Sequence, residues 1–443
     1  MPLNAREAAL KALIKFRKNQ SRSEDVLDGV LRSASLADRD AALSARIFYG
    51  VLQNKMLLQY YVIYFSTLDA EKIEATVWDI LYIAAYQMLF LSKIPPSAAV
   101  NESVKLAKKY SGQRSIGFVN AILRKISSNL DRLPEVKGRD ETERLSIRYS
   151  HPYWLVREIA GRLGTAEAEK LLEADNQIVP IYAQINTLCK QKFIAALDEM
   201  MQRGQLTPHK WLDSCVEFHG GFFPGNSQLV KDGAVYIQDP AARLAVTAAD
   251  PTAGMRVIDG CAAPGGKSFA AAIDMKNSGS ILACDLSAHK LSKIIEGADR
   301  LGISIIETRA LDARTKLDEL AGRADLVFAD VPCSGFGTIR KKPEIRYKNE
   351  AELEGLPQVQ FDILSNLSNY VNQKGVLLYS TCTILRRENE DVVARFLDTR
   401  GDFTLEPFDL PEPVGRVAAG QITLWPHIYG TDGFFIARLR RRP

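Results

Sequence analysis

Hydrophobic positions in the first part of the chain recur at helical spacing. In residues 5–16, apolar side chains fall at every third or fourth position, which is typical of one buried helix face. Pro95 and Pro96 end one of the later helical stretches, and Ser97 is expected to cap the next. We therefore predict an all-α domain over residues 1–130. Its other helical patterns cover residues 39–65, 77–91, 98–110 and 114–126.

The pattern is mixed in the middle of the chain. Residues 127–144 have the Pro, Gly, Asn and Asp content of a linker. An apolar run typical of a strand follows at 178–186, between helical stretches at 166–173 and 193–203. This order predicts a small α/β linker domain over residues 145–230.

Short apolar runs alternate with helical patterns in the last part of the chain. Such alternation is typical of a doubly wound, mostly parallel sheet, and it predicts an α/β domain over residues 235–443. Residues 421–425 and 433–439 are predicted to form a terminal antiparallel hairpin, a common addition to such a sheet. The predicted inner strands lie at 257–258, 280–284, 303–308, 326–329 and 376–379.

Composition supports a multidomain globular protein. The chain has 443 residues, of which 46% are hydrophobic and 25% charged, and a formal net charge of only +4. Its six cysteines lie far apart without a C-x-x-C pair, which argues against a disulfide framework and against a zinc site. The longest apolar run, 77–91, is shorter than the roughly 20 residues that span a bilayer. We expect a cytoplasmic protein with reduced thiols, no metal and no membrane segment.

A set of basic side chains follows the predicted helices at 98–110 and 114–126. Such a run is usually a solvated face, but it could equally contact RNA, because phosphates are bound by local clusters of Lys and Arg. Both interpretations remain open. The set comprises Lys105, Lys108, Lys109, Arg114, Arg124 and Lys125.

Residues 260–268, GCAAPGGKS, follow a predicted strand and precede a helix. A glycine-rich turn there directs backbone N–H groups and the positive helix end at one point, which suits a nucleotide-like ligand. An ordinary strand-to-helix loop is the alternative. The loop nearly matches the phosphate-binding pattern G-x-x-x-x-G-K-[ST], but Cys261 stands where its first glycine belongs, and Pro264 lacks an N–H. Nucleotide hydrolysis is therefore disfavoured.

Three carboxylates and two thiols follow successive predicted strands. Asp285, Asp312 and Asp330 stand at the edge where open α/β sheets bind ligands, although each alone could be a helix cap. Cys333 follows the fourth strand and Cys382 the fifth. A lone cysteine is usually a small buried hydrophobe, but two at adjacent strand ends suggest covalent chemistry.

One reaction needs this set of groups. A thiolate that adds to C6 of cytosine makes C5 nucleophilic enough to accept a methyl group, and an acid near N3 stabilises the charge that develops. A base must then remove the C5 proton, and a second cysteine could help the first to leave. The residues alone do not decide which cysteine attacks, since DNA cytosine methyltransferases use the Pro-Cys residue.

Segments 259–268, 330–335 and 379–382 resemble the cofactor loop and the two cysteine motifs of S-adenosylmethionine-dependent RNA cytosine-C5 methyltransferases. Segment 117–124, GFVNAILR, resembles the signature of the NusB-like helical domain in the Fmu/RsmB branch, which acts on small-subunit (16S) ribosomal RNA. The resemblance implies a Rossmann-like catalytic domain after a NusB-like RNA-binding domain. Flanking segments that also resemble the family are 337–343, 387–390 and 432–435.

The resemblance also assigns roles to residues. It implies that Cys382 is the nucleophile, that Cys333 assists release, and that Asp330 and Lys267 lie near the target base. It further implies S-adenosylmethionine as cofactor and small-subunit rRNA, naked or in early assembly, as substrate of what we expect to be a monomer. The implied cofactor shell is Cys261, Ala262, Ala263, Pro264, Gly265, Gly266, Lys267, Asp285, Asp312 and Asp330.

A protein of another class could carry the same fold. A methyltransferase-fold RNA-binding or antitermination factor without catalysis would use the helical domain alone. Intact Cys333, Cys382, Asp330 and Lys267 favour the enzyme, because a scaffold needs neither thiol.

Overall fold

The computed structural model describes residues 3–19, 22–219 and 227–443, and within 190–192 only the helical backbone. Residues 220–226 of the predicted linker domain lie outside the described part. The chain forms two compact units. Unit 1 comprises Met1–Asn176 and Lys341–Lys348, and unit 2 comprises Gln177–Arg340 and Asn349–Pro443.

Unit 1 is helical over its described residues, which confirms the predicted fold of the N-terminal part. Its short 3₁₀ helices lie at Ala70–Lys72, Leu130–Arg132 and Pro343–Tyr347. Its α-helices are α1 (Ala5–Asn19), α2 (Ser23–Ala34), α3 (Asp38–Phe65), α4 (Ala75–Phe90), α5 (Pro96–Tyr110), α6 (Gln113–Ser128), α7 (Glu141–Tyr149), α8 (Tyr153–Leu163) and α9 (Thr165–Ala174).

Helix α4 lies at the centre of unit 1. It is apolar on nearly every side, as expected of a helix that other helices surround, and it packs against α1, α3, α5 and α6. Its buried Asp79 is paired with Arg17 of α1 at 2.9 Å, which offsets the cost of burying a carboxylate.

Two local expectations for unit 1 differ from the structure. Helix α5 begins at Pro96 and has no side-chain cap, so Ser97 is not its N-cap. Proline suits the first helical position, because its φ is already helical and its missing N–H would have no partner there. Helix α2 is not among the predicted helices, although Val26, Leu27 and Val30 form a buried face on it.

The boundary at Asn176 falls inside the predicted 145–230 domain. Helices α7–α9 pack in unit 1, whereas the strands that follow belong to unit 2. In unit 2 these strands form a small antiparallel sheet with the order β2-β3-β1-β4. The elements are β1 (Ile181–Ile185), α10 (Lys190–Gln202), β2 (Leu206–Pro208), β3 (Cys215–Phe218), α11 (Gln228–Lys231) and β4 (Val235–Ile237).

The large sheet of unit 2 has the order β10-β14-β9-β8-β5-β6-β7, and β13 pairs with β14. Short 3₁₀ helices lie at Asp318–Leu320, Glu350–Leu353 and Arg386–Glu388. The strands are β5 (Arg256–Asp259), β6 (Ser280–Asp285), β7 (Ile306–Ala310), β8 (Ala324–Asp330), β9 (Val371–Thr381), β10 (Phe403–Leu405), β13 (Gln421–Leu424) and β14 (Phe434–Arg441), with a separate β11 (Phe408–Asp409) and β12 (Arg416–Val417) pair. The helices are α12 (Pro240–Ala249), α13 (Gly266–Asp274), α14 (Ala288–Leu301), α15 (Leu356–Ser368), α16 (Glu390–Thr399) and α17 (Pro426–Tyr429).

Strands β5 to β9 are parallel, and β14 lies antiparallel to both β9 and β13. This arrangement confirms the predicted Rossmann-like sheet with its terminal hairpin. Strands β6 and β7 lie on one side of β5, and β8 and β9 lie on the other, so the strand order reverses between β5 and β8. The carboxyl ends of β5 and β8 therefore border the crevice where such sheets bind ligands. Within the described residues, none of the helices has both the length and the apolar character needed to traverse a bilayer.

Candidate active site

The loop that joins β5 to α13 has a backbone that requires glycine. Gly265 has φ of 108°, in the left-handed region, and a Cβ added there would lie 2.4 Å from the ring of Phe269. Its N–H donates to the carbonyl of Ala262 at 2.7 Å, which closes the turn just before the helix begins. The sequence therefore builds a tight, preformed loop at the start of α13.

Buried acceptors lie beside this loop. Asp259 is buried at the end of β5, and Ser268 donates its hydroxyl to Oδ2 of Asp259 at 2.7 Å. Burial raises the pKa of Asp259 to about 6. Among the described residues, Oδ1 of Asp259 and Oε1 of Gln238 have no donor. A Cβ on Gly266 would lie 3.0 Å from Nε2 of Gln238, so the Gln238 side chain adjoins the loop. The two oxygens without donors could accept hydrogen bonds from a ligand with amino and hydroxyl groups.

Asp285 and Asp312 are placed differently. The carboxylate of Asp285, at the end of β6, accepts from the backbone N–H of Ala263 at 3.3 Å and of Ser287 at 2.9 Å, so it adjoins the loop. The carboxylate of Asp312 pairs with Arg314 at 2.7 Å just past β7. The structure brings Asp285 to the loop, whereas the contacts of Asp312 are to Arg314.

Lys267 and Asp330 form an ion pair at the carboxyl end of β8. Nζ of Lys267 donates to Oδ2 of Asp330 at 2.6 Å, and the hydroxyl of Ser380 donates to Oδ1 at 2.7 Å. The ammonium group of Lys267 also lies 5.0 Å from the ring centroid of Phe434, within cation–π range. Both oxygens of Asp330 are thus fixed in orientation.

The two predicted cysteines meet beside this pair. Sγ of Cys333 and Sγ of Cys382 lie 3.2 Å apart, and both residues are partly exposed. Contact with the Cys382 thiol and burial raise the pKa of Cys333 well above its usual value, to which the charges of Glu388 and Asp330 also contribute. The structure therefore brings together the two predicted cysteines, which follow the ends of β8 and β9.

Cys261 and Cys284 lack the environment of a nucleophile. Burial and the nearby carboxylates raise the pKa of Cys261, and burial raises the pKa of Cys284 to about 12. Thiols with raised pKa values are poor nucleophiles near neutral pH. Among the described residues, no cluster of three or more His, Cys, Asp or Glu side chains could hold a metal ion.

Three polar residues of the site are absent from the predicted set. Ser380 fixes Asp330, while Glu388 and Asn389 are fully buried behind the cysteine loops. Ser380 could have been found from its place two residues before Cys382. Glu388 and Asn389 lie in the flanking segment 387–390, shortly after Cys382, but the sequence alone does not show that Glu388 also contacts Ser334, next to Cys333.

Comparison with protein families and curated proteins identifies the family of the chain. Residues 246–440 match the family 16S rRNA methyltransferase RsmB/F, and residues 3–128 match the NusB family. The chain is 37% identical over 99% of both chains to the probable ribosomal RNA small subunit methyltransferase B of Bacillus subtilis. Identity to the ribosomal RNA small subunit methyltransferase B of Yersinia enterocolitica is 28%, again over 99% of both chains.

Solved structures show the same fold. The crystal structure of PH0851 superposes with a TM-score of 0.79 at 25% identity and covers all of both chains. NSun6 from Pyrococcus horikoshii, crystallised with SFG, superposes with a TM-score of 0.56 at 21% identity, over 66% of this chain and 98% of NSun6.

Proposed function

Because this chain belongs to the RsmB/F family of 16S rRNA methyltransferases, we propose that it methylates C5 of a cytosine in small-subunit ribosomal RNA through a covalent cysteine adduct. The observation that carries the proposal is the pair of thiols 3.2 Å apart beside the Lys267–Asp330 ion pair. A methyltransferase that acts on a nitrogen or a ribose oxygen has no use for two thiols there.

Cys382 is the proposed nucleophile. Its thiolate forms a bond to C6, and the electrons of the C5–C6 double bond become available at C5 for the methyl group. Asp330, held by Lys267 and Ser380, donates a proton to N3 as the thiolate adds, which neutralises the charge on the ring, and accepts this proton back when the product is released. Loss of the C5 proton to a base then restores the double bond and breaks the C6–S bond, a release that Cys333 assists.

S-adenosylmethionine, when bound, supplies the methyl group. We assign its site to the loop Cys261, Ala262, Ala263, Pro264, Gly265, Gly266 and Lys267, with Asp285, Asp312 and Asp330 around it. The donor-free oxygens of Asp259 and Gln238 fit a ligand with amino and hydroxyl groups. SFG, found with NSun6, is an analogue of S-adenosylmethionine, which supports the same cofactor here.

The target cytosine must be unstacked before a thiolate can reach C6, so the expected substrate is a loop or an unfolded segment of rRNA in the cytoplasm. We propose the helical part as the RNA-docking domain. Lys105 and Lys109 of α5 are more than half exposed, although they pair with Glu102 and Glu7. A phosphate contact would replace the exposed Lys105–Glu102 pair at little cost, because exposed ion pairs contribute at most about 1 kcal/mol.

Trapping the adduct tests this proposal. The protein is incubated with small-subunit rRNA transcript and methyl-labelled S-adenosylmethionine, and the products are separated on a denaturing gel. We expect Cys382→Ala to abolish labelling of cytosine. Cys333→Ala should accumulate a protein–RNA adduct that survives denaturation, and Cys189→Ala, outside the site, should behave as wild type.

Each outcome discriminates between the alternatives. An adduct in Cys382→Ala, with none in Cys333→Ala, would reverse the two cysteine roles. No label in cytosine with the wild-type protein would leave the rival, an RNA-binding or antitermination factor.

A further inference from the structure

A buried carboxylate behind the active site connects the two cysteine loops. Glu388 is fully buried, and Oε2 accepts from the backbone N–H of Ser334 and from Nε2 of Gln360, each at 2.8 Å. Oε1 accepts from the hydroxyl of Ser334 and, at 3.4 Å, from that of Thr383. Ser334 follows Cys333 directly, and Thr383 follows Cys382.

Hydrogen bonds hold the two residues that flank Cys333 in the chain. Nε2 of Gln360 also donates to the carbonyl of Pro332 at 3.1 Å. Glu388 and Gln360 therefore hold the residues that precede and follow Cys333. The donors to Glu388 are neutral groups, so hydrogen bonds hold the buried carboxylate in one orientation.

Asn389 makes the equivalent contacts around Cys382. Its Oδ1 accepts from the hydroxyl of Thr381 at 2.6 Å, and its Nδ2 donates to the carbonyl of Thr383 at 2.9 Å. Glu388 thus holds the loop that contains Cys333, and the next residue, Asn389, holds the loop that contains Cys382. The two sulfur atoms in these loops lie 3.2 Å apart.

We propose that Glu388 is a positioning residue for the release of the methylated base by Cys333, and that Asn389 is a positioning residue for the attack by Cys382. The division follows from the contacts, since Glu388 has its short bonds to the Cys333 loop and Asn389 to the Cys382 loop. This inference rests on the proposed function, because release and attack are steps of the proposed covalent reaction.

The adduct distinguishes these two roles. Glu388→Ala should lower turnover roughly 10–100-fold and accumulate the adduct, because misplaced reacting groups cost rate. Glu388→Gln should stay within about threefold of wild type, since the hydroxyls of Ser334 and Thr383 can reverse their bonds to accept from an amide. Asn389→Ala should be slowed to a similar degree as Glu388→Ala, but without the adduct.

Control variants keep the test decisive. Asp391→Asn, on the exposed side of α16, should match wild type. If Glu388→Ala does not fold by thermal melting, Gln360→Met removes the contact to Pro332 and should still accumulate adduct, at a smaller loss of turnover.

The inference fails if folded Glu388→Ala, or Gln360→Met in its place, keeps wild-type turnover or loses activity without adduct. It also fails if Glu388→Gln is as impaired as Glu388→Ala, because the charge and not the position would then matter. If Cys333→Ala also forms no adduct, the proposed function is what has failed.

Discussion

Asp259 shows how one buried carboxyl links the active site to stability. It lies between the sheet and the cofactor loop, and burial raises its pKa from an ordinary value of 3.8 to about 6, despite the hydrogen bond from Ser268. In the pH window between these values, the folded protein holds a proton that the unfolded chain has released. Stability contributed by the protonated form is therefore complete below pH 3.8 and lost as pH rises through about 6.

We predict that Asp259→Asn removes this pH dependence. A difference of about two pKa units corresponds to about 3 kcal/mol. Between pH 4 and pH 7 the wild type should lose about this much stability through Asp259, whereas the variant should not. The free energy of unfolding, measured by urea denaturation across this range, tests it. Asp409→Asn, on an exposed strand, serves as the control and should follow the wild-type slope. Parallel curves for wild type and Asp259→Asn would contradict the assignment.

At the scale of one element, the cofactor loop depends on the space around Gly265. Its positive φ is unfavourable for any residue with a Cβ, and Phe269, one turn into α13, occupies the place that a Cβ would take. Gly254 provides a comparison, since its φ is also positive, at 88°, and a Cβ there would meet nothing within 4 Å.

We predict that Gly265→Ala destabilises the protein more than Gly254→Ala does. Both variants bear a backbone cost of roughly 1 kcal/mol, but only Gly265→Ala adds overpacking against Phe269, at roughly 1–3 kcal/mol more. Urea denaturation of both variants gives the difference directly. Equal losses of stability would mean that Phe269 moves aside without cost.

At the scale of the whole molecule, the segment Lys341–Lys348 belongs to unit 1 although its neighbours on both sides belong to unit 2. Its Arg346 is fully buried. Nη1 donates to the carbonyl of Gln53 at 2.7 Å and to Oδ1 of Asn176 at 2.9 Å, with longer bonds to the carbonyls of Tyr149 and Ser150. One guanidinium thus joins several separate segments of unit 1.

We predict that Arg346→Met lowers the stability of unit 1 by roughly 1–3 kcal/mol for each buried acceptor that it leaves without a donor. Thermal melting followed by circular dichroism should show the helical signal lost at lower temperature. Arg139→Met, whose side chain is 80% exposed and pairs only at the surface, should melt as wild type does. An unchanged melting temperature for Arg346→Met would show that water satisfies these carbonyls.

Local patterns in the sequence were enough to predict most helices and strands and the strand ends that carry the candidate site residues. Helical spacing identified most helices of unit 1, and positions at adjacent strand ends predicted that Cys333 and Cys382 lie close together, because parallel strands end at one edge. These features depend on residues close together in the chain or on a regular sheet, so a pattern suffices to predict them. The prediction that Lys267 and Asp330 lie near each other came from the family resemblance.

Only the tertiary structure decided which distant side chains meet. Glu388 accepts from the backbone N–H of Ser334, 54 residues away along the chain, and the segment Lys341–Lys348 joins the helical unit. Helices α7–α9 likewise pack with unit 1 and not with the small sheet that follows them. Each of these contacts depends on packing in three dimensions, and no spacing along the chain records it. The sequence thus predicted the residues of the candidate site, and the fold decided which other side chains hold them in place.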